Sequence, residues 1–163
     1  MAERVFTQTF GAVGGILERD GKILLIKEAG HKHADIGKWS HPAGWIDVGE
    51  DPVKAAKREV EEESGYRFEP TALLGVYSLV RNDIADLQRG TPHAIKLIFI
   101  GDISDNQELQ TADDSAEVRW FSPDEIEAMD GDTLRDKDIK QMVKDYLNGQ
   151  RFPLDVISHS FGK

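Results

Sequence analysis

The sequence predicts an α+β domain in which a mixed β-sheet is sandwiched between helices. Apolar segments of strand length recur at residues 10–17, 22–28, 72–80 and 94–100. A sharply punctuated helix over 52–64 stands among them, and further helices follow the last strand. A sheet with two apolar faces needs helices on both sides, which favours the sandwich.

Each element has a local reason. Residues 10–17 and 22–28 are separated by Glu18, Arg19, Asp20 and Gly21, and the Asp20-Gly21 pair signals a two-residue hairpin turn. A polar loop over 29–38 carries His31, Lys32 and His33, and residues 39–46 read as a short extended segment interrupted by Pro42. The helix that follows has Asp51 as N-cap, Pro52 in the first position and Gly65 as a left-handed stop. Val53, Ala56 and Val60 form its apolar stripe, while Lys54, Lys57 and Glu61 point outward. Residues 72–80 and 94–100 are strands joined by a polar loop, the second nearly continuously apolar and therefore central. A short strand over 117–121 leads into Ser122-Pro123-Asp124-Glu125, the spacing of a capping box, which opens a helix to about Met129. A last helix spans 136–147, and a tail runs from about 150 to 163.

Composition sets bounds. The 163 residues suit one domain over 1–163, and 39% hydrophobic with 31% charged residues is ordinary for a globular protein. There is no cysteine, which excludes disulfides, zinc thiolates and thiol nucleophiles. No apolar run is long enough to cross a membrane, and residues 1–9 lack a signal-peptide pattern, so a cytoplasmic location is expected. A net charge of −10 argues against a general nucleic-acid-binding surface. It leaves room for a phosphorylated small molecule, because a bound metal inverts the local field.

The chemistry concentrates in residues 44–66, GWIDVGEDPVKAAKREVEEESGY. Helical spacing brings Glu59, Glu62 and Glu63 together along one face. Like charges so close repel, and a dense set of hard oxygen donors suits Mg²⁺ or Mn²⁺.

The stretch resembles the Nudix box of the MutT-like hydrolases, G-x5-E-x7-R-E-U-x-E-E-x-G-U, with U a bulky apolar residue. Gly44, Glu50, Arg58, Glu59, Val60, Glu62, Glu63 and Gly65 fall in register, and only Tyr66 departs, being bulky but not aliphatic. Gly37-Lys38-Trp39 ahead of Pro42-Ala43-Gly44, and Arg119-Trp120-Phe121 ahead of the capping box, extend the likeness over about residues 8–148. The resemblance implies an α/β/α sandwich and metal-dependent hydrolysis of a nucleoside diphosphate linked to another group. It also implies roles. Glu59, Glu62 and Glu63, with the Ala43 carbonyl, would hold Mg²⁺ or Mn²⁺; Arg58 would orient Glu59; and Gly44 would let the backbone pass close to the metal. Glu50 has a place in the motif but no assigned role. Glu62 is the preferred general base, with Asp114 as supporting ligand or alternative base, against the plainer reading of Asp113 and Asp114 as a solvated loop pair.

Substrate contacts are expected from Lys38, Arg81, Lys96 and Gly44, with Arg89 and His93 nearby. Trp39, Tyr77 and Phe99 are candidates to stack on a base, although strand aromatics are usually core. The expected partner is a small nucleotide or pyrophosphate, with no membrane. Homodimers are common in the family, and no residue here demands one. Short similarities at 42–44 and 149–154 lean towards a nucleoside di- and triphosphatase branch. ADP-ribose, dinucleoside polyphosphates and oxidised nucleoside triphosphates stay open. The competing reading from another class is a non-catalytic nucleotide sensor, disfavoured by the full set of box carboxylates. An isomerase branch relies on a cysteine that this chain lacks.

Overall fold

The computed structural model describes residues 8–29, 35–87, 91–105 and 117–162. The strands are β1 (Thr9–Gly15), β2 (Glu18–Arg19), β3 (Lys22–Lys27), β4 (Trp39–Ser40), β5 (Ala43–Trp45), β6 (Tyr66–Val80), β7 (His93–Asp105) and β8 (Val118–Phe121). The helices are α1 (Pro52–Ser64), α2 (Pro123–Ala128) and α3 (Asp138–Leu147). One sheet is mixed, in the order β5-β1-β7-β6, with β1 and β7 parallel and the other pairs antiparallel. In the second sheet β3 pairs with β2, β4 and β8.

Alternation along the strands divides the core in two. Phe99 of β7 and Leu24 and Ile26 of β3 pack with Ala55, Ala56 and Val60 of α1. Their neighbours Ile98, Ile100, Ile23 and Leu25 pack with Ile126 of α2 and Ile139, Met142 and Val143 of α3. Successive strand residues face opposite ways, so each sheet serves both cores. The sandwich expected from the sequence is present.

Several boundaries differ from expectation for physical reasons. Residues 10–17 and 22–28 are not two arms of one hairpin. The Asp20-Gly21 turn, with φ of 52° and 76°, joins only Glu18-Arg19 to Lys22-Ile23. The chain changes sheets at Ile16-Leu17, where the Ile16 N–H donates to Phe99 O at 3.0 Å and Leu17 O accepts from the Leu24 N–H at 3.0 Å. The 39–46 segment likewise splits into β4 and β5 in different sheets. Pro42 sits at the break, with no N–H to give a ladder and its carbonyl accepting from Gly15 at 3.0 Å. Strands β6 and β7 run longer than their apolar stretches, because the hairpin extends through exposed Arg67 and Glu69 paired with Ser104 and Asp102. The last helix starts two residues later than expected, Asp136 being held by side-chain contacts described below.

Helix α1 matches its cap signals, although Glu61, expected to point outward, is half-buried and accepts from the Phe68 N–H at 3.0 Å. The Asp51 carboxylate accepts from the N–H groups of Val53 and Lys54 at 2.9 and 3.1 Å, and Gly65 closes the helix at φ 75°. Ala55 joins the buried face beside Ala56 and Val60. The tail is also structured: Leu73 and Phe152 exchange backbone hydrogen bonds of 2.8 Å, and Leu154 and Ile157 pack on the α1 side of the core. No helix among the described residues is long and apolar enough to cross a membrane.

Removing the cap isolates its contribution. Asp51→Ala should cost about 1 kcal/mol; urea unfolding should show a lower midpoint with an unchanged slope.

Candidate active site

Helix α1 lays its carboxylate edge beside β5, and Arg58 gathers the two. Its Nε and Nη2 donate to the two oxygens of Glu50 at 2.8 and 2.9 Å, while Nη1 donates to Glu59 at 2.7 Å and reaches Glu62 at 3.5 Å. The i, i+4 contact with Glu62 is thus looser than those with Glu50 and Glu59, and only Asp47, at 3.9 Å, lies farther. Glu50, unassigned from sequence, is the clamp that fixes Arg58 in a two-pronged grip. That hydrogen bond from Arg58 holds the Glu50 carboxyl below its usual range.

Gly44 is required by close approach. A Cβ at this position would fall inside the Glu59 carboxylate. Ala43 donates its N–H to Glu63 at 2.8 Å, so β5 anchors Glu63 through its backbone.

The carboxylates outnumber their counter-charges. Burial pushes Glu63 from 4.5 up to about 8, against the Ala43 hydrogen bond and helped by Glu28 and Glu59. Burial also raises Glu59, despite Arg58. Among the described residues no three acidic or histidine side chains converge into a finished cation cage. Glu59 is turned to Arg58 and Glu63 to the Ala43 amide, so the donor set is present in chemistry and engaged elsewhere.

These groups form one wall of a cleft of ≈ 600 Å³. A largely buried ionic network also lines the cleft and comes close enough to Glu63 for Glu28 and Arg135 to act on its charge. Arg81 binds both oxygens of Asp35 at 3.0 and 3.1 Å, and Asp136 at 3.1 Å. Lys96 Nζ lies 2.8 Å from Asp136 and 3.0 Å from Asp138, and Arg135 lies 2.6 Å from Glu28. Burial would raise Asp136, but Lys96 and Arg135 outweigh it and hold it well below the carboxylate range.

Arg81 and Lys96, expected at the substrate, thus do line the cleft, already neutralised by aspartates. Lys38 is not in the lining and pairs with Asp35 at 3.8 Å. Trp39 needs correction. It is 8% exposed and packs edge-to-face on Phe121, with ring centroids 4.8 Å apart, inside the α3 side of the core. Phe99 is core as well, and the Tyr77 hydroxyl is spent on Asp145 at 2.8 Å. The tryptophan that lines the cleft is Trp45, whose place next to Gly44 on β5 was the available signal. His93 also lines the cleft, between the Thr9 and Ser78 hydroxyls at 2.9 Å each. His41, unremarked in the sequence, lies buried at the cleft; burial first, then Lys96, lowers its pKa to about 3. Asp113, Asp114, His31, Lys32, His33 and Arg89 lie outside the described residues.

Comparison with known proteins decides the family. The NUDIX domain family model matches residues 7–143. The chain belongs to the Nudix hydrolase family. An ADP-ribose pyrophosphatase of Methanocaldococcus jannaschii is 33% identical over 144 residues, 88% of this chain and 76% of that protein. The phosphatase NudJ of Escherichia coli is 27% identical over 146 residues, 89% of this chain and 88% of NudJ. A solved Nudix hydrolase from Nitrosomonas europaea superposes with a TM-score of 0.80 at 31% identity, covering 96% of this chain and 100% of its own.

Glu63 makes the metal-free Nudix fold pH-sensitive. Between pH 4.5 and about 8 the folded state keeps a proton that the unfolded chain has lost, so stability falls as pH rises through that window. In EDTA, Glu63→Gln should remove this fall and gain about 3–4 kcal/mol over wild type at pH 8 relative to pH 5. Melting curves against pH would check it; parallel profiles would contradict it.

Proposed function

We propose that this Nudix hydrolase is a Mg²⁺- or Mn²⁺-dependent pyrophosphohydrolase acting on a nucleoside diphosphate linked to another group, or on a nucleoside di- or triphosphate. The observation that carries the reading is the surplus of carboxylate at the α1–β5 edge, where Arg58 is the cation shared by Glu50, Glu59 and Glu62 and Glu63 is raised to about 8. Hard oxygen donors with unspent negative charge fit a hard divalent cation. Glu59, Glu62, Glu63 and the Ala43 carbonyl would hold it; when bound, it neutralises phosphate charge and makes a water nucleophilic near neutral pH.

The chain's own groups divide the remaining work. Glu50 fixes Arg58, and Arg58 with Gly44 fixes the Glu59 carboxylate. Glu62 is the least committed of the three, with its side chain 49% exposed and only a 3.5 Å contact to Arg58. That freedom supports Glu62 as the base that takes a proton from the attacking water. Asp114 is the alternative base. The ionic network, its cations already paired, positions the rest of the substrate. Trp45, on β5 beside the carboxylate edge, offers the aromatic surface that Trp39 does not.

Substrate choice follows the leaving group. ADP-ribose would yield AMP and ribose 5-phosphate, and a nucleoside triphosphate would yield pyrophosphate or phosphate. A panel of both classes with Mg²⁺ or Mn²⁺ should show metal-dependent turnover, and Glu62→Gln should lower kcat by about 10²–10⁴-fold with the fold intact. Near-normal turnover in Glu62→Gln would remove that residue as the base. Binding without turnover across the panel would favour the sensor reading.

A further inference from the structure

His41 immediately precedes the Pro42-Ala43-Gly44 turn and lines the cleft. Its side chain is nearly sealed, at 1% exposure, yet neither Nδ1 nor Nε2 has a hydrogen-bond partner. A buried donor or acceptor left unpaired destabilises a fold relative to an apolar group of the same shape. The polar neighbours do not relieve it. Ser40 Oγ donates to the His41 carbonyl at 3.2 Å rather than to the ring, and Lys96 and Asp136 are bound to each other at 2.8 Å. Nor is there slack for the ring on the β1 side, where a Cβ on Gly14 would stand 3.1 Å from His41 Cδ2. A leucine or phenylalanine would serve packing better than this imidazole.

The cleft indicates what the ring is kept for. The α1 edge carries the carboxylates that would take the phosphates through a cation. His41 lies instead within electrostatic reach of Lys96, Asp136 and Arg135, and Arg81, Lys96 and Arg135 are each already paired with an acidic side chain. A ligand group lying against that network meets fixed, mutually neutralised charges, which suits an uncharged polar moiety.

We propose that His41 is a specificity-determining contact for the nucleoside part of the substrate, its imidazole giving one donor and one acceptor to a ribose hydroxyl or a base edge. The ring turns towards the cleft on binding, exchanging an unpaired state for a paired one. The idea rests on the hydrolase reading for the kind of ligand, and its test does not need turnover.

AMP and ribose 5-phosphate contain no pyrophosphate bond, so their binding can be measured by calorimetry in the presence of Mg²⁺ without reaction. His41→Leu and His41→Phe should raise the melting temperature and weaken AMP binding about tenfold, the size expected for one lost hydrogen bond left without a partner. His41→Gln, which keeps a donor and an acceptor, should stay within threefold of wild type. An equal loss for ribose 5-phosphate assigns the contact to the ribose, and a loss confined to AMP assigns it to the base. AMP affinity within twofold of wild type in the Leu and Phe variants would overturn the proposal. So would destabilisation of both variants, equal loss in His41→Gln, or no binding of either ligand to the wild type. Histidine-dependent AMP binding without turnover of any pyrophosphate would instead sink the hydrolase reading alone.

Discussion

The site depends on how one guanidinium is shared. Arg58 sits on α1, yet its firmest grip is on Glu50, in the loop that enters the helix, and its next is on Glu59, its own neighbour. Fixing Glu50 fixes the path of the loop; fixing Glu59 lays a carboxylate over Gly44 of β5. Helix, loop and strand are thereby registered to one another through charge-assisted hydrogen bonds, which are both stronger and more directional than neutral ones. The arrangement leaves Glu62 and Glu63 underserved, and that shortage is what gives the edge its chemistry. A second arginine here would relieve that shortage.

The two charged groups that line the cleft solve opposite problems. On the α1 edge negative charge is in excess and partly exposed. In the ionic network three cations and several carboxylates are paired with one another, drawn from the approach to β4, the residue after β6, β7, and the approach to and first residue of α3. Breaking such a buried network by removing one partner strands the others, which makes it a rigid surface rather than a set of mobile hands. Basic residues that line a cleft are therefore not automatically free to meet a ligand; what they are already bound to decides.

The sequence revealed local chemistry more readily than long-range geometry. The caps of α1, the Ser122–Glu125 box and the Asp20-Gly21 turn depend on residues a few positions apart, and they stand where the spacing put them. The carboxylate edge was legible for the same reason. Sheet membership was not, because β1 and β7, or β4 and β5, are sorted by pairings that span the chain and by a single proline between two short strands. Trp39 illustrates the cost: its neighbours Phe121 and Leu134 lie about eighty and ninety-five positions away, so nothing local distinguished a core tryptophan from a stacking one. The aspartate partners of Arg81 and Lys96, at 35, 136 and 138, were hidden in the same way.

The last residues of the chain also bear on how molecules meet one another. Strand β6 is the outer strand of its sheet, with Val76 and Val80 exposed along it, and a bare outer strand offers its free backbone groups to any passing extended segment. Phe152 occupies this margin at Leu73, beside the irregularity between Leu73 and Gly75, and Gln150 adds a side-chain hydrogen bond to Leu74 O. The tail works as a selvedge: it finishes part of the sheet from within the same chain, so that strand-to-strand growth is interrupted midway along one of its two outer borders.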